Sequence, residues 1–202
     1  MMLQDTENLK NLARKIYLHW SGTHPNWKEP GHYHVVVTGD GKVHKLHPYT
    51  TALRAHTFAR NENAVAFSLA CMGGKGWSEY PPTKVQIEAM CLEVARLVKS
   101  LGWPAEKIDS KRIMTHAEAA ALRDYPLSVV KAVGTSPARA LAAGLPHENY
   151  GAMGWPDGWP DGTAERWDLW MLSANEKKGS GGDILRKHIL YYYNELVVGR
   201  IK

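Results

Sequence analysis

The chain predicts an α/β domain with one central, mixed β-sheet flanked by helices. Two observations predict it. Short apolar runs of strand length recur between Ile16 and Thr115. Segments with apolar residues three and four apart lie before, between and after them, which is the spacing of helices that bury one face.

Residues 5–15 read as a helix with Leu9, Leu12 and Ala13 on one face. Ile16-Tyr17-Leu18-His19-Trp20 is a short buried strand, stopped by Ser21-Gly22. A loop rich in Pro, Gly and Trp runs to Gly31. Residues 33–38 form a second strand with three valines in a row. Gly39-Asp40-Gly41 is a hairpin signal, and residues 42–46 return beside it. Residues 63–72 form another apolar strand, closed by Gly73-Gly74.

The clearest helix opens at Thr83, where Thr83 and Gln86 make the T-x-x-Q pattern of a capping box. Ile87, Met90, Cys91, Val94, Leu97, Val98 and Leu101 recur at helical spacing, and Gly102 ends the helix. Apart from Cys91 that stripe holds no reactive group and reads as core. Residues 112–115 form a short strand that leads into His116, and residues 117–123 look helical. Residues 125–163 are irregular and contain a tandem repeat, Trp155-Pro156-Asp157-Gly158 then Trp159-Pro160-Asp161-Gly162. Each Pro-Asp-Gly is a turn signal, and the repeat is too short for a solenoid. Residues 177–183 are a Gly/Ser-rich break. A last helix follows, with Ile184, Leu185, Ile189, Tyr192, Tyr193 and Leu196 as its apolar face.

A length of 202 residues suits one domain with a real core. Hydrophobic residues at 44% and charged residues at 22% argue against global disorder. The formal charge of +5 favours anionic partners, and simple solubility explains it equally well. Basic residues form no tract and no nucleic-acid motif accompanies them, so no nucleic-acid partner is expected. Cys71 and Cys91 lie in apolar runs and read as buried, reduced thiols. The N-terminus lacks the basic start and apolar run of a secretory signal, and no apolar stretch is long enough to span a bilayer. The expectation is a protein made in the cytoplasm that must be released or delivered to any target outside it.

Among ten histidines, two stand out by context. His19 lies near the end of an apolar strand, and His116 follows a strand and opens a helix. Strand ends of α/β sheets are where sites gather. A third element, Arg166-Trp167-Asp168-Leu169-Trp170, sets an acid between tryptophans. An acid in apolar surroundings needs a partner, for which a metal or an arginine would serve. Two imidazoles, one carboxylate and an open position make the ligand set of a catalytic zinc.

With these pieces in view, residues 16–172 resemble the type 2 N-acetylmuramoyl-L-alanine amidases, a family that includes phage amidase-type lysozymes and shares its fold with animal peptidoglycan recognition proteins. Six segments carry the likeness, in family order. They are Ile16-Tyr17-Leu18-His19-Trp20-Ser21; Gly31-His32-Tyr33-His34-Val35-Val36-Val37 with its Gly39-Asp40-Gly41 turn; residues 61–71; Pro82-Thr83-Lys84-Val85-Gln86; Ile113-Met114-Thr115-His116-Ala117-Glu118; and Arg166-Trp167-Asp168.

The resemblance implies a Zn2+ ion held by His19, His116 and Asp168. Some relatives use cysteine at the third place, but neither cysteine here falls there. It implies Tyr33 beside the metal, orienting water or moving a proton, and Arg166 as a donor to the amide oxygen. The implied reaction is hydrolysis of the amide bond joining N-acetylmuramic acid to L-alanine in peptidoglycan, with a phage or prophage endolysin as the expected setting. The implied domain is residues 1–176, with residues 125–163 inserted between ligand segments and residues 177–202 a helix docked on it. Substrate contacts are expected from His34, His56, Trp155 and Trp159; for His34 a surface position is the alternative.

Two departures stand beside the resemblance. The core strand Val65-Ala66-Phe67-Ser68-Leu69-Ala70-Cys71 lacks the glutamate that many relatives use as a base. Glu118 is a fallback, although its place in a first helical turn is explained by the helix dipole. The stretch from His116 to Asp168 is also longer than in compact relatives. A rival reading is a non-catalytic, wall-binding recognition module of the same fold; the filled ligand positions favour catalysis.

Overall fold

The computed structural model describes residues 14–53, 56–57, 60–121, 123–126, 128 and 168–202. They form a five-stranded sheet of order β3-β2-β4-β1-β5. The strands are β1 (Lys15–Trp20), β2 (Val35–Val37), β3 (Val43–Lys45), β4 (Ala64–Leu69) and β5 (Ile113–Thr115). β1 pairs in parallel with β4 and β5, and β2 in parallel with β4. β3 returns antiparallel to β2, so the sheet is mixed, as expected.

The sequence of the central strands explains their place. β4 is buried at every position and β1 at all but its first, as suits parallel strands covered on both faces. β2 and β3 are joined through Gly39-Asp40-Gly41, where Gly41 takes φ +82° and the Thr38 and Lys42 backbones close the turn. β2 is shorter than the apolar run predicts. His34 precedes it and spends its ring on neighbouring backbone groups, as described below.

The described helices of more than one turn are α1 (Lys84–Ser100), α2 (His116–Ala120) and α3 (Gly181–Val197). α1 carries the predicted capping box, with Gln86 N–H donating to the Thr83 side chain. The buried Gln86 side chain also donates to the carbonyls of Val37 at 2.6 Å and Ala70 at 3.1 Å. One residue therefore caps the helix and ties it to the ends of β2 and β4. Gly102, at φ +66°, follows the helix.

α1 buries Met90, Cys91, Val94, Leu97 and Val98 in a single core with the sheet. α3 joins the same core through Leu185, Ile189 and Leu196. Lys99 of α1 donates to the Leu196 carbonyl at 2.6 Å, and Cys91 Sγ lies 3.8 Å from the Leu185 carbonyl. Both cysteines are free and buried, and burial pushes both thiols up. Among the described residues, no helix is long and apolar enough to cross a membrane. The helix expected over residues 5–15 falls, but for its last two residues, outside the described ones. Lys15 already belongs to β1.

Candidate metal centre

Sheet topology brings two histidines together. β1 and β5 are parallel neighbours with Leu18 paired to Thr115. His19 and His116 each come one residue later, so they leave the same edge of the sheet on the same face. Their rings stand 4.7 Å apart by centroid. His116 also starts α2, whose capping box is formed by Thr115 and Glu118.

The third group comes from far along the chain. The Asp168 carbonyl accepts from Ala117 N–H at 3.3 Å, which fastens its segment beside His116. Leu169 then takes φ +58°, a left-handed turn uncommon for a branched residue. The Trp170 carbonyl accepts from the N–H groups of Gly179 and Gly181, at 3.0 and 3.1 Å.

Three donor atoms converge. His19 Nδ1 lies 3.1 Å from His116 Nδ1 and 3.2 Å from Asp168 Oδ2, and His116 Nδ1 lies 3.1 Å from that oxygen. All three residues are buried. A proton on one ring nitrogen cannot bridge three mutual contacts, whereas a cation set among three lone pairs can. Tetrahedral coordination with usual zinc–nitrogen bonds of about 2.0 Å separates donor atoms by about 3.3 Å. The donor set and its spacing thus fit a zinc ion with one position open, and the triad can hold a metal. Burial alone would raise the Asp168 carboxyl, but the neighbouring His116 and His19 rings bring it down to about 2, which keeps it anionic.

The flanking groups differ in what they offer. The Tyr33 ring sits 5.2 Å from His19 by centroid and is half-buried. His34 is fully buried: Nδ1 accepts from Ala66 N–H at 3.0 Å and Nε2 donates to the Thr51 carbonyl at 2.9 Å. With both nitrogens bound to backbone it is neither a surface residue nor open to a groove. It stitches the β3–β4 loop to the sheet. His56 is also enclosed, its ring 5.8 Å from His19. Burial and the nearby His19 and His34 rings lower it to about 2, so it is neutral.

Glu118 is fully committed. It accepts from Thr115 N–H at 3.0 Å and from both terminal nitrogens of Arg186 at 2.8 Å each. It does not face the triad as a base. Arg166, Trp155, Trp159 and nearly all of residues 125–163 lie outside the described residues.

A family model described as N-acetylmuramoyl-L-alanine amidase matches residues 6–127, more than half of the chain. The chain belongs to that amidase family. The match takes in His19, Tyr33 and His116 and ends before Asp168, so the structure alone joins the third donor to the site. A similar solved structure is the Ph2119 endolysin from Thermus scotoductus MAT2119 bacteriophage Ph2119. It is 17% identical, with a TM-score of 0.42 over 52% of this chain and 72% of that one. No curated protein matches the chain.

Sequence reasoning missed several residues around this candidate site. Thr57 touches His19, yet nothing in its spacing marks it. Gly181 and Gly182 were legible only as part of a Gly/Ser-rich break. Arg186 carried a usable signal: an arginine beside Leu185 on the apolar stripe of a helix demands a buried acid.

Proposed function

We propose that this protein is a zinc-dependent N-acetylmuramoyl-L-alanine amidase that hydrolyses peptidoglycan between N-acetylmuramic acid and L-alanine, in the setting of a phage or prophage endolysin. The observation that carries the reading is the convergence of His19 Nδ1, His116 Nδ1 and Asp168 Oδ2 within 3.2 Å of one another, in a chain of this family. When bound, zinc supplies Lewis acidity that makes water nucleophilic near neutral pH and polarises the amide carbonyl.

The chain's own residues do the rest. The two imidazoles and the carboxylate hold the ion and leave one side for substrate. Tyr33, beside His19, orients the attacking water and passes a proton to the departing amine, which leaves as the free N-terminus of the stem peptide. Arg166, two residues before Asp168, donates to the amide oxygen as negative charge builds there. Tyr33 takes the proton-handling role because the core strand over residues 65–71 carries no acid and Glu118 is held by Arg186. Trp155 and Trp159 stack on sugar rings of the glycan. His34 and His56 are given no substrate contact, since both are enclosed. The catalytic unit includes residues 177–202, whose helix completes the core.

Digestion of purified peptidoglycan tests this. The expected products are new L-alanine amino termini without new reducing sugars, lost with a chelator and restored by zinc. New reducing ends would assign a glycosidase. Wall binding with no cleavage in the presence of zinc would assign a recognition module.

A further inference from the structure

Behind His19, on the side away from the other two donors, lies a buried chain of polar groups. His19 Nε2 is 3.3 Å from Thr57 Oγ1, and Thr57 Oγ1 is 3.0 Å from His56 Nδ1. Thr57 is fully buried and His56 is 5% exposed. The N–H groups of Thr57 and His56 both donate to Asn61 Oδ1, at 2.7 and 3.2 Å, which fixes the turn that carries them.

A hydroxyl has one proton to give. Among the described residues the Thr57 hydroxyl bonds only these two rings, so its proton goes to one of them. If it goes to His19 Nε2, the His19 proton sits on Nδ1, the atom aimed at the other donors, and no ion can bind there. If it goes to His56 Nδ1, Thr57 accepts from His19 Nε2–H, and the Nδ1 lone pair of His19 is available.

We propose that Thr57 is a positioning residue which, with His56 as its hydrogen-bond acceptor, holds His19 in the tautomer that binds the metal. The proposal rests on reading His19 as a ligand. It requires His56 to carry its own proton on Nε2, and no donor among the described residues is aimed at that atom to forbid it. Groups that orient a ligating histidine typically contribute about 10–100-fold to metal affinity.

The test is zinc affinity, measured by competition with a chromogenic chelator, together with the visible absorption of the cobalt-substituted protein. Thr57→Val keeps the side chain's shape and removes the hydroxyl. It should weaken zinc binding by about 10–100-fold, and Thr57→Ser should restore it and the wild-type cobalt spectrum. Wild-type affinity in Thr57→Val overturns the proposal. So does a Thr57→Ser variant as weak as Thr57→Val, since the hydroxyl would then not be the active feature.

Should Thr57→Val fail to fold, the second arm decides. His56→Asn retains an acceptor oxygen near the Nδ1 position and should bind zinc well, whereas His56→Phe should bind it weakly. Equal, tight binding by both overturns the proposal. Wild-type protein that takes up neither zinc nor cobalt would remove the metal reading itself, and this inference with it. Tight wild-type binding matched by Thr57→Val removes this inference alone.

Discussion

At the scale of single residues, the triad and Tyr33 make opposite contributions and can be separated. His116 and Asp168 are buried and supply two of the three converging atoms, so on the proposed reading the loss of either leaves the ion two holders instead of three. Tyr33 lies beside His19 without being one of the converging donors. His116→Ala and Asp168→Ala should therefore each lose bound zinc and cleavage together, read by metal analysis and by release of L-alanine termini. Tyr33→Phe should keep its zinc and lose kcat by about 10²-fold or more, the range of a positioned proton carrier. Zinc-loaded Tyr33→Phe with full kcat would take Tyr33 out of the reaction. The same scale shows what a sequence can and cannot mark. His19 and His116 were visible because each ends an apolar run. His34 was ambiguous, because alternation along a strand says which face a side chain takes but not which backbone groups wait there. Asp168 was legible as an acid among tryptophans needing a metal or an arginine as partner, and the resemblance chose the metal.

At the scale of elements, the Gly-rich stretch that runs into the first turn of the last helix is closely fitted to its surroundings. A Cβ on Gly181 would run into the Leu169 carbonyl oxygen, one residue from Asp168, and a Cβ on Gly182 would strike the Glu118 carboxylate. Glycine is required by close approach here, where composition alone suggested a break. From there α3 sends Arg186 back to Glu118, in the first turn of the helix that His116 opens. The last helix thereby braces two of the three donors. Gly181→Ala should destabilise the fold and weaken zinc binding together, because the Leu169 backbone must move. Denaturation and zinc titration read the two effects, and unchanged affinity would show that Asp168 is held without this contact. Arg186→Met tests the pair from the other side. It leaves Glu118 buried without its cation, at a cost of about 3–5 kcal/mol. Propensity and periodicity found α1 and the apolar face of α3. They did not show the Arg186–Glu118 pair, which joins residues 68 positions apart in the chain.

At the scale of the whole molecule, the mixed sheet was legible because its strands read as short apolar runs, and a parallel centre needs residues buried on both faces. Strand order was not legible, since β1 takes its partners from segments some 50 and 100 residues further on, and no local pattern encodes such pairing. That order has a titratable consequence at the β2–β4 junction. His34 is buried there between the Thr51 carbonyl and the Ala66 amide. Burial lowers its pKa below the ordinary 6.5, the Thr51 bond pulls it partly back, and nearby His47 lowers it further. Between that lowered value and about 6.5 the unfolded chain binds a proton at this site that the native state does not. Stability from His34 is therefore complete above about pH 6.5 and is lost as pH falls below it, at up to about 1.4 kcal/mol per unit. Urea midpoints at saturating zinc, compared between about pH 7 and about pH 5, should fall more steeply for wild type than for His34→Gln. The metal's own competition with protons is common to both proteins and cancels in the difference. Parallel pH profiles would show that the His34 ring gains its proton without opening the junction between β2 and β4.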